Sequence, residues 1–267
     1  MNILITAGGT TEKIDAVRSI SNTGTGRLGA LIAERLAASP DVERIFYVCN
    51  ERPVKPDTSK AAVLRANDTQ ELEAAVSQVC KNNKIDAIVH SMAVSDYRTR
   101  TVTTSRLIGI RIADRLVDGA LGDLRTGDQK TAFDGIATVA ADAVFNAPSI
   151  AAGGKISSDK DDLVVVMEKT PKIIAQLRGF APEAVIVGFK LLSGVSEDVL
   201  IDTAYALLQK NACDYVLAND MNTVGKSEGH TGYLIDREKR YTVCIGKANI
   251  AEKIAQTVLQ KTKKSVE

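Results

Sequence analysis

Residues 1–37 read MNILITAGGTTEKIDAVRSISNTGTGRLGALIAERLA. Their first apolar run, Ile3-Leu4-Ile5, is unbroken, which predicts a strand buried on both faces, as in a parallel sheet covered by helices. Apolar residues then recur at helical spacing, at Leu28, Leu31, Ile32 and Leu36. This spacing predicts an amphipathic helix that begins near Arg27. The opening stretch therefore predicts a strand, a long glycine-containing loop and a helix.

The same alternation continues along the chain. Short, unbroken apolar runs recur at 87–89, 164–166, 185–187 and 216–217. Amphipathic helical periods lie between them, and Ser196, followed by Glu197 and Asp198, is a typical helix N-cap. Strands that alternate with helices predict an α/β fold with a doubly wound, mostly parallel sheet.

Two segments depart from this alternation. Residues 98–154 are rich in Ala, Gly, Thr, Asp and Arg and show no clear strand–helix order, so we expect a flexible insert, or flap, that is helical in part. Residues 232–245 place two short apolar runs on either side of a polar turn, which predicts a β-hairpin. We interpret 1–267 as a single domain that contains both segments.

Composition and charge argue for a globular protein and against general binding to nucleic acid or membrane. Hydrophobic residues make up 45% and charged residues 25% of the chain, the balance of a globular protein, and a net charge of +1 gives no general attraction to nucleic acid or membrane. The N-terminus lacks the pattern of a signal peptide and no apolar run could span a membrane, so we expect a cytoplasmic protein. The cysteines lack the spacing of a zinc or redox motif and are expected to be buried free thiols: Cys49, Cys80, Cys213 and Cys244.

The string from Gly24 to Gly29 has the form GxGxxG, which is typical of dinucleotide folds. That fingerprint belongs in the turn directly after the first strand, whereas here the first strand ends near Ala7 and its own turn is Gly8-Gly9-Thr10. Glu51, after the second strand, is poorly suited to bind a ribose. An oxidoreductase that binds a nicotinamide or flavin dinucleotide is therefore an alternative rather than the leading interpretation.

The two glycine groups still need a physical reason. Backbone without side chains can approach a ligand closely, and the helix that begins near Arg27 presents free N–H groups that favour phosphate. The loops could therefore hold a triphosphate, or they could be tight turns without a ligand. Between them, Arg18 suits an anion and Asn22 offers a neutral donor and acceptor, while a surface salt bridge from Arg18 to Asp15 is the simpler interpretation of the arginine.

Further polar residues follow other predicted strands. Ala93 and Asp96 come after the strand that ends at His90, a histidine we expect to be packed, whereas His230 is expected on a surface loop. Lys155 directly follows the predicted hinge Gly153-Gly154, and a lysine beside a flap can close on phosphates. Two more groups each lie at the carboxyl end of a predicted apolar strand: Gly188-Phe189-Lys190 and Asn219-Asp220. Carboxyl ends of parallel strands share one edge, so all these residues are expected there.

These motifs occur together and in order: ITAGGTTEKIDAVRSISN, AVSDY, KISS, KTPKII, VGFK and AND. In this the chain resembles the phosphopantothenate–cysteine ligases, and more closely their stand-alone bacterial type. The resemblance implies a modified Rossmann-like fold and a homodimer. It also implies two steps: the carboxylate of 4′-phosphopantothenate attacks a nucleoside triphosphate, which gives an acyl-nucleotide and pyrophosphate, and the amine of L-cysteine then displaces the nucleoside monophosphate. CTP is the expected nucleotide, with ATP possible, and Mg²⁺ accompanies it.

The resemblance also assigns roles to residues. Asn22 and Lys155 match catalytic positions, Lys155 on the flap. Arg18, Ala93 and Asp96 match positions that hold the phosphopantothenate, Arg18 from the partner subunit. Positions on the nucleotide side are Gly8, Gly9, Gly26, Gly29, Phe189, Lys190, Asn219 and Asp220.

Three features depart from the family pattern. Gly24-Thr25 stand where the family usually has Ser-Ser, Met92 stands where alanine is common, and the segment between AVSDY and KISS is longer. A nucleotide-binding regulator without turnover stays open beside the ligase and the oxidoreductase.

Overall fold

The computed structural model describes residues 1–117, 129–151, 154–223 and 230–264. The chain forms two compact units. The first contains Met1–Thr11, Ser21–Ser95 and Pro171–Glu267, and the second contains Glu12–Ile20 and Asp96–Thr170. Gly153 of the predicted hinge lies outside the described residues. The expectation of one domain over 1–267 stays a prediction.

The strands are β1 Asn2–Ala7, β2 Thr11–Lys13, β3 Ser19–Ser21, β4 Arg44–Cys49, β5 Ala61–Arg65, β6 Ala87–His90, β7 Tyr97–Thr103, β8 Val164–Lys169, β9 Val185–Leu192, β10 Tyr215–Asp220, β11 Thr231–Asp236 and β12 Tyr241–Ile245. The helices are α1 Arg27–Ala37, α2 Thr69–Asn82, α3 Ser105–Arg115, α4 Gln129–Phe145, α5 Ile173–Phe180, α6 Glu197–Lys210 and α7 Lys247–Lys264, and Met221–Thr223 form a 3₁₀ turn.

The first unit is built on an eight-stranded sheet with the order β12-β11-β10-β9-β6-β1-β4-β5. Six neighbouring strands of this sheet run parallel: β10, β9, β6, β1, β4 and β5. The other two, β11 and β12, pair antiparallel as a hairpin at one edge. Without the hairpin, the strand order is that of the doubly wound Rossmann sheet. The predicted fold class and the predicted hairpin at 232–245 are both confirmed.

Both faces of this sheet are buried, which explains the unbroken apolar run of β1. Ile3 and Ile5 pack with Ile32 and Leu36 of α1 and with residues of α7. Leu4 points to the other face, where α2, α5 and α6 supply the apolar partners. The predicted N-cap is also present, since the Ser196 side chain accepts a hydrogen bond from Val199 N at the start of α6.

The second unit contains a separate two-stranded antiparallel sheet of β7 and β8, and α3 packs against α4. Here one expectation was wrong. The run 164–166 does not join the parallel sheet, because it pairs with β7 and is only half-buried. The segment 98–154 contains most of β7 and all of α3 and α4, so it is helical in part, as expected, and its role as a flexible flap stays a prediction. Three consecutive valines favour a strand, but they do not determine which strand becomes its partner.

The structure also bears on the membrane and cysteine predictions. Among the helices of the described residues, none is both long and apolar enough to cross a membrane. All four cysteines are free thiols, as expected, and three of them are buried: Cys49, Cys213 and Cys244. Cys80 is half-buried, and burial raises the pKa of its thiol to about 11.

Candidate active site

The candidate site of the first unit lies where the two halves of the sheet diverge, between β1 and β6. The loop after β1 and the loop after β6 are joined there by backbone hydrogen bonds. Ala93 N donates to Gly8 O at 2.9 Å, and Thr10 N donates to Ala93 O at 3.1 Å. Crevices at such switch points, outside the carboxyl ends of the strands, are the usual ligand sites of open α/β sheets.

Asn22 is attached to the same junction. Its backbone N–H donates to Thr10 O at 3.0 Å, and its side-chain Nδ2 donates to Ala93 O, also at 3.0 Å. Within the described part of the chain, its Oδ1 has no hydrogen-bond partner. The structure therefore brings together a predicted catalytic residue, Asn22, and a predicted substrate-binding residue, Ala93.

The glycines of both loops are required by this close packing. A Cβ atom at Gly9 would overlap Asn22 O, and one at Gly24 would overlap Gly8 O. Gly24, which stands where the resemblance expects serine, thus lies against the first glycine loop. The two loops approach so closely that side chains at these positions would force them apart.

The loop after β4 gives a further reason why positions 8 and 26 are occupied by glycine. Both adopt positive φ angles, 89° and 70°, and a Cβ atom at either would meet Pro53, at 3.1 and 2.5 Å. The Tyr47 hydroxyl lies 3.3 Å from Gly26 O and 3.1 Å from Val54 O, and its one hydrogen can be donated to either carbonyl. The structure thus explains these glycines by contacts within the protein.

This packing does not favour the dinucleotide interpretation. In that fingerprint, bare glycine backbone lies against the pyrophosphate, whereas here a proline ring faces Gly8 and Gly26. Glu51 pairs with Arg65 at 3.2 Å. At Gly29, α1 packs directly against the sheet, because a Cβ there would lie 2.5 Å from Ala7 Cβ. The nucleotide roles of these glycines stay predictions.

Four further nucleotide-side candidates lie on β9 and β10. Phe189 and Lys190 lie inside β9, which continues to Leu192, so they do not close that strand as expected. Phe189 packs on the sheet face that carries α1 and α7. Lys190, one residue later, points to the opposite face.

Asn219 and Asp220 end β10, as predicted. The buried Asp220 carboxylate accepts from Gly194 N at 3.2 Å and Val195 N at 3.1 Å, so it holds the turn before α6. Asn219 Nδ2 lies 3.2 Å from Nε2 of His230. The expectation that His230 lies on a surface loop was wrong, since only 8% of it is exposed.

The second unit holds the remaining candidates, Arg18, Asp96 and Lys155. Arg18 Nη1 contacts Asp15 Oδ2 at 2.8 Å, so the simpler interpretation of this arginine, an ion pair, is present. The Arg18 side chain remains 39% exposed, and its Nε and Nη2 have no hydrogen-bond partner among the described residues. Asp96 and Lys155 are both exposed, and Asp96 O accepts a hydrogen bond from Thr170 N at 3.0 Å.

Asp15 is a further residue of the second unit, and the sequence did not reveal its wider role. Its side chain is buried, and Oδ1 accepts from Val17 N at 2.8 Å and Arg18 N at 2.7 Å. Oδ2 accepts from Ile156 N at 3.2 Å, in addition to the Arg18 contact. Burial alone would raise the pKa of Asp15, but these hydrogen bonds and the Arg18 charge lower it to about 2.

Metal ligands do not cluster in the described part of the chain. No group of three or more His, Cys, Asp or Glu side chains is placed there to hold an ion.

Comparison with known proteins gives a consistent set of relatives. A family model described as the DNA/pantothenate metabolism flavoprotein C-terminal domain matches residues 1–108 and 125–262. The coenzyme A biosynthesis bifunctional protein CoaBC of Thermococcus kodakarensis is 25% identical over 226 residues, which are 85% of this chain and 43% of that protein. Its namesake from Methanocaldococcus jannaschii is 24% identical over 258 residues, 96% of this chain and 50% of that protein. The chain thus spans about half the length of these curated relatives.

Solved structures agree on the fold. The DNA/pantothenate metabolism flavoprotein from Streptococcus pneumoniae superposes with a TM-score of 0.74 at 27% identity, over 98% of this chain and 99% of that one. A Cab2 mutant in complex with phosphopantothenate-cysteine superposes with a TM-score of 0.65 at 17% identity, over 99% of this chain and 87% of that one. The second likeness supports the fold alone.

Proposed function

The chain belongs to the family of the DNA/pantothenate metabolism flavoprotein C-terminal domain, and from this premise we propose that it is a phosphopantothenate–cysteine ligase of coenzyme A biosynthesis. Its substrates are 4′-phosphopantothenate and L-cysteine. The names of the CoaBC relatives, to which most of this chain aligns, support this assignment.

The observation that carries the proposal is the position of Asn22. Its Nδ2 is held on Ala93 O at the switch point of the sheet, which leaves Oδ1 and one amide hydrogen for a ligand. A reaction in which the substrate carboxylate is itself the nucleophile needs no nucleophile from the enzyme. It needs orientation of the reacting groups and stabilisation of developing charge, and a fixed amide provides both.

The reaction has two steps in this proposal. The carboxylate of phosphopantothenate attacks the α-phosphate of the nucleotide and releases pyrophosphate. The amine of cysteine then attacks the acyl carbon and releases the nucleoside monophosphate. Asn22 contacts the acyl group, and Lys155 supplies positive charge during formation or turnover of the acyl-nucleotide. Arg18, Ala93 and Asp96 bind the pantothenate substrate.

The co-substrate in this proposal is CTP in preference to ATP, and it enters as its Mg²⁺ complex, because triphosphate oxygens are ligands that Mg²⁺ favours. The N-terminal N–H groups of α1 provide a phosphate-binding end at Gly26–Gly29. The enzyme acts as a homodimer, in which Arg18 reaches the substrate of the partner subunit through its free Nε and Nη2.

Pyrophosphate release tests the proposal. The purified protein is incubated with 4′-phosphopantothenate, Mg²⁺ and either CTP or ATP, with and without cysteine. Cysteine-dependent turnover with CTP is the expected result. Turnover with ATP alone would keep the reaction and change the nucleotide, whereas folded protein that releases no pyrophosphate in any combination would overturn the ligase assignment.

A further inference from the structure

Asp15 joins two segments of the second unit that are far apart in the sequence. One is the loop that carries Arg18, and the other is the segment that carries Lys155. The carboxylate divides its contacts between them. Oδ1 accepts the N–H groups of Val17 and Arg18, which closes a local turn, whereas Oδ2 accepts Arg18 Nη1 and Ile156 N.

The contact to Ile156 fixes the backbone at the residue after Lys155. The Ile156 side chain is buried, with 2% exposure, while Lys155 itself is exposed. Ile156 O also lies 3.5 Å from Arg18 Nη1, so the same peptide segment contacts both members of the ion pair. A buried carboxylate with all of these donors around it makes strong, charge-assisted hydrogen bonds.

We propose that Asp15 is a positioning residue that holds the Arg18 loop and the Lys155 segment in one fixed arrangement. The inference that this arrangement serves turnover rests on the proposed function, whereas the arrangement itself does not. Asp15 does not touch the substrates in this scheme. It acts through the guanidinium of Arg18 and through the backbone next to Lys155.

The Asp15→Asn variant distinguishes the contacts made by Oδ1 from those made by Oδ2. An asparagine Oδ1 can still accept from Val17 and Arg18 and keep the local turn, but its NH₂ group places donors against Arg18 Nη1 and Ile156 N. The matched control is Asp162→Asn, because Asp162 also accepts a backbone N–H in this unit, from Ser105 at 2.8 Å, and makes no hydrogen bond to Arg18 or Ile156 in the described part of the chain.

Limited trypsin digestion tests the arrangement without reference to activity, because the Lys155–Ile156 bond is itself a trypsin site. Asp15→Asn should raise the cleavage rate there by about tenfold or more, since the opened state becomes more populated. Cleavage after Lys210 in α6, and all cleavage in Asp162→Asn, should remain as in the wild type. Equal acceleration at Lys155 and Lys210, or none at Lys155, would overturn the proposal.

Kinetics then test the role in turnover. Asp15→Asn should raise KM for 4′-phosphopantothenate and lower kcat, with KM for the nucleotide unchanged, whereas simple loss of folded protein would leave every KM unchanged. A wild-type protein without activity would refute the ligase assignment and leave the trypsin result valid. If the variant does not fold, hydrogen exchange of the Ile156 amide in the wild type decides, because an unprotected amide would contradict the contact with Asp15.

Discussion

The side-chain amide of Asn22 donates a 3.0 Å hydrogen bond to the backbone oxygen of Ala93, a residue 71 positions later in the chain. Ala93 O also accepts Thr10 N, so three loops share one acceptor at the switch point of the sheet. This bond fixes which end of the Asn22 amide faces Ala93, because the NH₂ group must point to a carbonyl. Oδ1 therefore points elsewhere, and the amide is oriented before any ligand arrives.

Asn22→Asp should abolish most turnover without unfolding the protein. A carboxylate cannot donate to Ala93 O, and in the proposed reaction it would add negative charge where the substrate carboxylate approaches. We expect kcat to fall by about 10²-fold or more, the usual effect of removing one oriented donor. Pyrophosphate release measures this loss, and circular dichroism checks the fold.

The matched control for that variant is Asn83→Asp. Asn83 also donates its amide to a backbone carbonyl, Val79 O at 2.9 Å, but it lies at the end of α2. Its turnover should equal that of the wild type. If Asn22→Asp kept full turnover, or if both variants lost it equally, Asn22 would not have the catalytic role proposed here.

The sequence predicted the fold well because the strands of the first unit carry unambiguous signals. The run Ile3-Leu4-Ile5 must be buried on both faces, and the helical period after Arg27 allows one interpretation. The run 164–166 carried the same signal and was assigned to the wrong sheet, because strand partners depend on long-range packing. Local periodicity does not contain that information.

The roles of the site residues stay predictions, whereas the structure shows contacts among them that the sequence did not indicate. Sequence reasoning offered the Arg18–Asp15 ion pair as the simpler alternative, since the two are near neighbours, and the structure contains it. It could not find the bond from Ile156 N, which lies 141 positions from Asp15. For the glycines it left two interpretations open, loops that hold a triphosphate or tight turns without a ligand. The structure shows that backbone from the neighbouring loop already lies against Gly9 and Gly24.

Gly9→Ala should destabilise the protein, because the new Cβ atom would overlap the backbone oxygen of Asn22, which cannot rotate away. We expect a loss of about 1–3 kcal/mol in the free energy of unfolding, as for other overpacked sites. Gly179→Ala is the control, since a Cβ there meets nothing within 4 Å and the residue lies in helix α5. That variant should be unchanged or slightly more stable. Urea unfolding at pH 7 measures both, and equal stability of the two would contradict the packing argument.

His230→Phe and His90→Phe should have opposite effects on stability. Nδ1 of His230 is buried without a partner among the described residues, and its Nε2 contacts the half-exposed Asn219, which water can reach. His90 Nδ1 instead bonds the buried hydroxyl of Thr6 at 2.7 Å. We expect His230→Phe to be neutral or stabilising by about 1 kcal/mol, and His90→Phe to be destabilising by about 1–3 kcal/mol because it leaves Thr6 unsatisfied. Thermal unfolding of both variants measures the two changes in stability. A larger loss of stability in His230→Phe than in His90→Phe would contradict this argument.

His90 should also make the stability depend on pH between about 4 and 6.5. Burial lowers the pKa of His90 to about 4 in the folded protein, below its ordinary value of 6.5. Below pH 6.5 the unfolded chain therefore binds a proton that the folded protein does not, so stability falls as pH falls through this window. The difference of about 2.5 between the two pKa values corresponds to a loss of about 3 kcal/mol in the free energy of unfolding between pH 7 and pH 4.

Urea unfolding at pH 7.0, 5.5 and 4.5 tests this prediction, and the free energy of unfolding should decline less in His90→Gln than in the wild type. Asp15 is present in both proteins, so its own contribution to the pH dependence cancels in this comparison, and parallel declines in the two proteins would show that His90 is not the group responsible.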